Sequence, residues 1–165
     1  MATFFGVMLL GAAAGTTVAT GRRSSRSALT EAALPLAAAV AVGATAGSLY
    51  FSESAGFVPC ELCWFQRIAM YPMSVMLPLA ALRRDRSVLP YALALSVIGL
   101  GISAYHTQLQ LFPDQGSFCD ATNPCTGRWV EVFGWMTIPQ MAGLSFALIA
   151  SLSSLAILTP PKELP

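Results

Sequence analysis

Charge is what this chain has least of. Only 10% of its 165 residues are Asp, Glu, Lys or Arg, against about 25% in an average soluble domain. Hydrophobic residues make up 55%. That balance excludes an ordinary soluble domain, and the long apolar runs put the chain in a lipid bilayer. The formal net charge is +1, so the basic excess that a nucleic-acid partner would need is missing. Histidine occurs once, at His106, and no Cys-x-x-Cys-His stretch occurs, which argues against haem. Internal repeats and a separate soluble domain are also missing. A secretory signal carries its positive charges before its apolar core. Here the apolar residues 4–20 come first and Arg22, Arg23 and Arg26 follow, so a cleaved signal is not expected.

What is present is a series of apolar runs. Residues 4–20 are at about the lower length limit for a membrane span. Hydropathy reads them as a short transmembrane helix with its N-terminus outside; a helix lying on the membrane surface is the alternative. Four core runs follow, at residues 29–51, 64–82, 88–109 and 136–158. Gly43 and Gly47 lie four apart in the first, a spacing that lets a neighbouring helix approach closely; a plain Ala-rich span is the other reading. Pro72 and Pro78 interrupt the second, as membrane helices tolerate. The expected fold is all-α: an integral membrane four-helix bundle over residues 29–159. An N-terminal hydrophobic segment and basic linker (1–28) precede it, and a short tail (160–165) follows.

Basic residues orient the bundle. Arg22, Arg23, Arg26, Arg83, Arg84, Arg86 and Lys162 fall on one side, and only Arg67 and Arg128 on the other. The side rich in Lys and Arg is cytoplasmic by the positive-inside rule. The four cysteines then lie on the opposite, oxidising side, where disulfides persist.

They form two close couples, Cys60/Cys63 and Cys119/Cys125. Cys60-x-x-Cys63 lies where a loop enters a helix, so a thiolate there meets the positive end of the dipole. Arg67 is one turn deeper on the face of Cys63 and would stabilise a thiolate or an anionic ligand. An interfacial Arg snorkelling to water is the competing reading. Cys119 and Cys125 enclose only residues 120–124. A bridge closing so short a loop removes little chain entropy, so exchange with a partner explains it better than stapling. Two outer pairs suggest a relay from a soluble protein to a hydrophobic two-electron carrier, for which a quinone fits. His106 ends its span level with the CxxC and could bond a quinone oxygen; a satisfied interfacial His is equally open. Two inert structural disulfides are one competing account. A metal site or transporter built on Cys60, Cys63 and His106 is another, and no metal is expected on the leading one.

Several stretches carry a resemblance. Cys60-Glu61-Leu62-Cys63-Trp64-Phe65-Gln66-Arg67, followed by Tyr71-Pro72, resembles the bacterial DsbB/BdbC family of disulfide-forming quinone reductases. So do residues 105–113 (YHTQLQLFP), Phe118-Cys119-Asp120 and residues 133–140 (FGWMTIPQ). The similarity covers roughly residues 30–158. It implies a multi-pass protein of the bacterial plasma (inner) membrane, in contact with lipid, whose cysteine pairs face the periplasmic or extracytoplasmic side. It further implies that Cys60 and Cys63 are the quinone-coupled pair, Cys63 reacting with ubiquinone or menaquinone. Arg67 would lie beside the quinone and His106 would contact it. Cys119 would be attacked by a reduced thioredoxin-fold partner of DsbA type, and Cys125 would pass electrons to Cys60. The Cys60/Cys63 pair is then expected to be oxidised at rest. The chain departs from the proteobacterial branch in its short Cys119–Cys125 loop, which resembles the BdbC branch, and residues before about 29 match nothing in the four-helix core. In the related vitamin K epoxide reductases the pairs come in the opposite order.

Overall fold

A backbone in hydrocarbon has no water to satisfy its N–H and C=O groups, so apolar runs of this length become helices. The computed structural model describes residues 22–115, 119–120 and 122–159, of residues 22–28 only the backbone. Four α-helices make up most of it: α1 (Arg22–Leu49), α2 (Glu61–Arg83), α3 (Leu89–Leu111) and α4 (Ile138–Leu158). Helix α1 runs on through one wider π-type turn, Tyr50–Ser54. The expected span at residues 4–20 and the tail at 160–165 lie outside the described residues.

Each helix packs on its chain neighbours, and α1 closes the ring against α4. The bundle therefore runs up and down with two distinct ends. At one, Thr30 and Thr159 share a hydrogen bond of 2.8 Å, joining the start of α1 to the end of α4. Arg86, in the α2–α3 turn, donates to the Ala156 carbonyl, a cation at the negative end of the α4 dipole. Arg84 ends α2 in the left-handed region at φ 54°. This is the basic end. Both cysteine pairs lie at the other.

The bundle's surface departs from the usual soluble pattern, and some polar side chains lie within its apolar core. Large apolar side chains point outward, among them Ile68, Val75, Leu82, Val97, Ile98 and Leu148, while Gln66, Ser96, Ser103 and Ser153 are buried. An apolar exterior of this extent suits lipid. Three described helices are long and apolar enough to cross a membrane: Leu29–Ser54, Leu89–Leu111 and Ile138–Leu158. Helix α2, expected as a span over 64–82, forms at a similar length but is more polar, because it carries Gln66 and Arg67 toward the site. Trp129, Phe133 and Trp135 stand exposed at the cysteine end, where aromatic residues favour a membrane–water interface.

Two sequence expectations change in detail. The basic cluster from Arg22 to Arg26 is helical, part of α1 rather than a linker. Gly43 and Gly47 do not seat a neighbouring helix: a Cβ at either would meet nothing within 4 Å, and both line a cavity. Close approach occurs at Gly99 on α3, where a Cβ would lie 2.3 Å from the ring of Phe146 on α4. Phe146 is fully buried and cannot swing out. Gly99→Ala is therefore expected to destabilise the bundle by about 1–3 kcal/mol through overpacking, seen as a lower thermal unfolding midpoint in detergent. Adding Phe146→Leu should recover part of the loss.

Candidate active site

Helix α2 begins at the CxxC because Pro59 cannot continue a ladder and Cys60 takes an extended N-cap conformation (φ −73°, ψ 173°). The Trp64 N–H closes the first turn on the Cys60 carbonyl at 3.1 Å. One turn separates the two cysteines, which brings their sulfurs to 3.0 Å. Cys60 is buried and Cys63 half-buried. Both are free, so the pair expected to be oxidised at rest is a dithiol here. Cys119 and Cys125 are joined in a disulfide. Cys125 is buried and Cys119 half-buried.

All four cysteines pack in one small apolar cluster with Leu62, Leu109 and Ile102. Two polar contacts tie the couples together. Asn123, inside the Cys119–Cys125 ring, donates from Nδ2 to the Pro59 carbonyl at 3.1 Å. His106, buried near the end of α3, has Nε2 at 3.7 Å from Cys60 Sγ and 3.1 Å from the Cys125 carbonyl. The imidazole thus bridges an inner sulfur and the outer loop.

The hydrogen bond shared with Cys63 holds the Cys60 thiol well below its ordinary value of 9.0; burial opposes this, and His106 adds to the lowering. Of the two sulfurs, Cys60 is the one whose surroundings favour the thiolate. A thiol of low pKa is also the better leaving group in disulfide exchange.

Cys63 also helps line a cavity of about 340 Å³ between α1, α2 and α4. Its wall is mostly apolar, with Gly47, Phe51, Met70, Tyr71, Met141 and Ala142 among its residues, and Arg67 also faces it. The Arg67 guanidinium is held in place. Nε donates to Ser48 Oγ and Nη2 to the Ser48 carbonyl, both at 3.0 Å. The Trp64 ring lies 5.1 Å and the Tyr71 ring 6.0 Å from its central carbon. Nη1 has no hydrogen-bond partner among the described residues. Arg67 is half-buried and bonded inward, which differs from a side chain snorkelling to water.

Of the six residues singled out from sequence, Cys60, Cys63, Cys119, Cys125 and His106 gather in one place, with Arg67 one turn below. His106 is level with the CxxC, but it does not line the cavity; Cys60, against which it sits, is absent from the wall as well. Sequence reasoning missed Ser48, which aims Arg67, and Asn123, which docks the outer ring. It also missed Gln110. This buried residue accepts from Thr137 Oγ1 (2.8 Å), donates to the Gly127 carbonyl (3.0 Å), and takes Arg128 on its own carbonyl (2.8 Å). Gln110 thereby ties the segment after Cys125 to the capped start of α4, where Thr137 and Gln140 form a capping box. A polar residue at the end of an apolar helix was the available signal.

Fold and site together define a helical membrane protein with a dithiol and a disulfide packed side by side. The family model described as disulfide bond formation protein DsbB matches residues 30–158. Three relatives agree. A disulfide bond formation protein C from Bacillus subtilis is 44% identical over 67% of this chain and 81% of its own length. A probable disulfide formation protein C 1 from Bacillus cereus is 44% identical over 69% and 84%. A probable disulfide formation protein from Oceanobacillus iheyensis is 44% identical over 64% and 75%. No solved structure matches. The chain belongs to the DsbB family of disulfide bond formation proteins, oxidoreductases that generate disulfides.

The state of Cys60 is open to titration. Its partners weaken proton binding, so the thiolate is present above the lowered pKa and is lost as pH falls through it. In reduced protein with Cys119 and Cys125 changed to Ala, thiolate absorbance is expected to persist at and below pH 7. His106→Ala should move its loss to higher pH. A transition at the ordinary thiol value would mean that neither neighbour holds the charge.

Proposed function

We propose that this chain reoxidises a DsbA-like, thioredoxin-fold thiol oxidase outside the cytoplasmic membrane and delivers the electrons to a membrane quinone. The observation that carries this reading is the position of Cys63. It belongs to the four-cysteine cluster and, at the same time, to the wall of an apolar cavity that Arg67 faces. The basic end of the bundle supports a bacterial plasma membrane orientation with that end in the cytoplasm.

The cavity fits a quinone: its wall is mostly apolar, and a fixed guanidinium and a thiol stand among its polar groups, with Ser48, Ser52, Gln66 and Ser145. Arg67, through Nη1, and Cys63 would hold the ring. When bound, a quinone supplies an acceptor for two electrons and two protons.

The chain's own residues account for the exchange. The half-buried Cys119 is the sulfur a reduced partner would attack, forming a mixed disulfide and freeing the Cys125 thiolate. Cys125 then attacks Cys60 in the oxidised inner pair. A Cys60–Cys125 bond forms, the Cys60–Cys63 bond breaks and Cys63 leaves as a thiolate. The partner's second thiol releases Cys119, which attacks Cys125 and expels Cys60. Cys60 leaves readily because Cys63 and His106 stabilise its charge. The outer pair is again a disulfide and the inner pair carries two more electrons, the arrangement described above. His106 has its role here, beside Cys60 and the Cys125 carbonyl, rather than at the cavity wall.

The test is quinone reduction by purified protein with a reduced DsbA-type donor. Cys63→Ser is expected to abolish it; undiminished turnover would sink the reading. Cys125→Ser should trap the partner on Cys119, and a cross-link to Cys60 instead would reverse the assigned roles. Arg67→Gln should raise the quinone KM about tenfold or more, as for loss of a hydrogen bond to a charged group, with an unchanged KM counting against Nη1 as the donor. Gly47→Leu projects into open cavity space. It is expected to raise KM without lowering the unfolding midpoint.

A further inference from the structure

The reduced inner pair and His106 form a cluster whose donor atoms all lie within 4.8 Å of one another. Their chemistry is that of a borderline-soft cation site: two sulfurs and one imidazole nitrogen. We propose that Cys60, Cys63 and His106 bind a zinc ion when the pair is reduced, and that the ion blocks reoxidation of the pair.

The distances decide between a site and a coincidence. With Zn–S near 2.3 Å and Zn–N near 2.0–2.1 Å, a tetrahedral ion sets S···N at about 3.6 Å and S···S at about 3.8 Å. Cys60 Sγ and His106 Nε2 are 3.7 Å apart, already at that spacing. The two sulfurs, at 3.0 Å, must open by several tenths of an ångström. Cys63 is half-buried at the first turn of α2, so a side-chain rotation can supply that movement. The Cys125 carbonyl, 3.1 Å from Nε2, stands beside the fourth position, which it or a water can take. Cys60 and His106 are buried, so the donors are preorganised and shielded from competing water.

Binding and disulfide formation use the same electron pairs. Zinc takes one lone pair from each sulfur and one from Nε2. Any protons the thiols still carry leave to solvent, and the imidazole proton that the Cys125 carbonyl accepts moves from Nε2 to Nδ1, which has no other partner among the described residues. A disulfide has no thiolate to offer, so the oxidised pair cannot hold the ion. Conversely, sulfurs held on zinc cannot pass electrons onward. The site therefore exists only in the electron-loaded state, and zinc in the surrounding medium would halt turnover at that point. The proposal concerns ligation by the reduced protein alone and does not depend on what accepts the electrons.

Cobalt is the probe, because its tetrahedral thiolate complexes absorb strongly. The full chain in detergent, reduced with a non-chelating phosphine, is titrated with Co²⁺ in the absence of quinone. One equivalent is expected to give sulfur-to-cobalt charge transfer and the visible bands of a tetrahedral site, both abolished by excess Zn²⁺. The Cys119→Ala/Cys125→Ala chain should give the same spectrum. His106→Ala should weaken binding at least about tenfold. In the unaltered protein, Zn²⁺ should shield Cys60 and Cys63 from alkylation while Cys119 and Cys125 stay reactive. A spectrum that vanishes with the outer cysteines, survives oxidation of the inner pair or ignores His106 overturns the site, as does alkylation of Cys60 and Cys63 unaffected by Zn²⁺. Quinone reduction is assayed separately, so a failure of either reading is seen without the other.

Discussion

A single buried imidazole joins the two cysteine pairs. His106 reaches Cys60 on one side and the carbonyl of Cys125 on the other. An irregular loop lying over a bundle end has few ways to hold a fixed position, because its backbone bonds go largely to water or to itself. Here the loop is pinned by His106, by Asn123 on Pro59, and by Gln110 on Gly127. Without those contacts the outer disulfide would be tethered to the inner dithiol only by chain connectivity. With them, four sulfurs share one apolar cluster, with Cys60 and Cys125 buried in it.

The same economy governs the bundle. Helices in lipid gain little from burying apolar groups against each other, since lipid is equally apolar. Contact between them rests on close packing and on a few internal polar pairs. Gly99 under Phe146 supplies the first. Gln66 donating to Ser103 at 3.1 Å supplies the second, linking α2 to α3 just below the CxxC. Where packing is left loose, beside Gly43 and Gly47, a cavity opens and Arg67 is held at its edge by Ser48. The small residues of α1 thus leave a cavity open rather than seat a helix.

Much of this was legible in the chain. The apolar runs led to four helices with boundaries close to those observed, and the spread of arginines separated a basic end from a cysteine end. The CxxC, the second couple, Arg67 and His106 all stood out as chemistry in an otherwise unreactive sequence. Less legible were the residues that act by position. Ser48 and Asn123 look like ordinary loop-edge polar residues, and their partners are 19 and 64 positions away. The role of His106 was also open. Its level along α3 follows from helical rise, but which of two neighbouring faces it turns to depends on how α3 is rotated against α2.

By itself, the sequence determined the solvent, the number of core helices, which end carries the thiols and which side chains can react. Those properties follow from hydropathy, charge and functional groups, which are additive along a chain. Only the tertiary structure decided that Cys60 faces His106 and the outer loop while Cys63 faces the cavity. The two cysteines are one helical turn apart at a helix start, and their environments differ through the rotation and packing of that helix. The relay proposed above would need its two sulfurs to see different partners. That difference is a property of three-dimensional neighbours, which spacing along the chain does not encode.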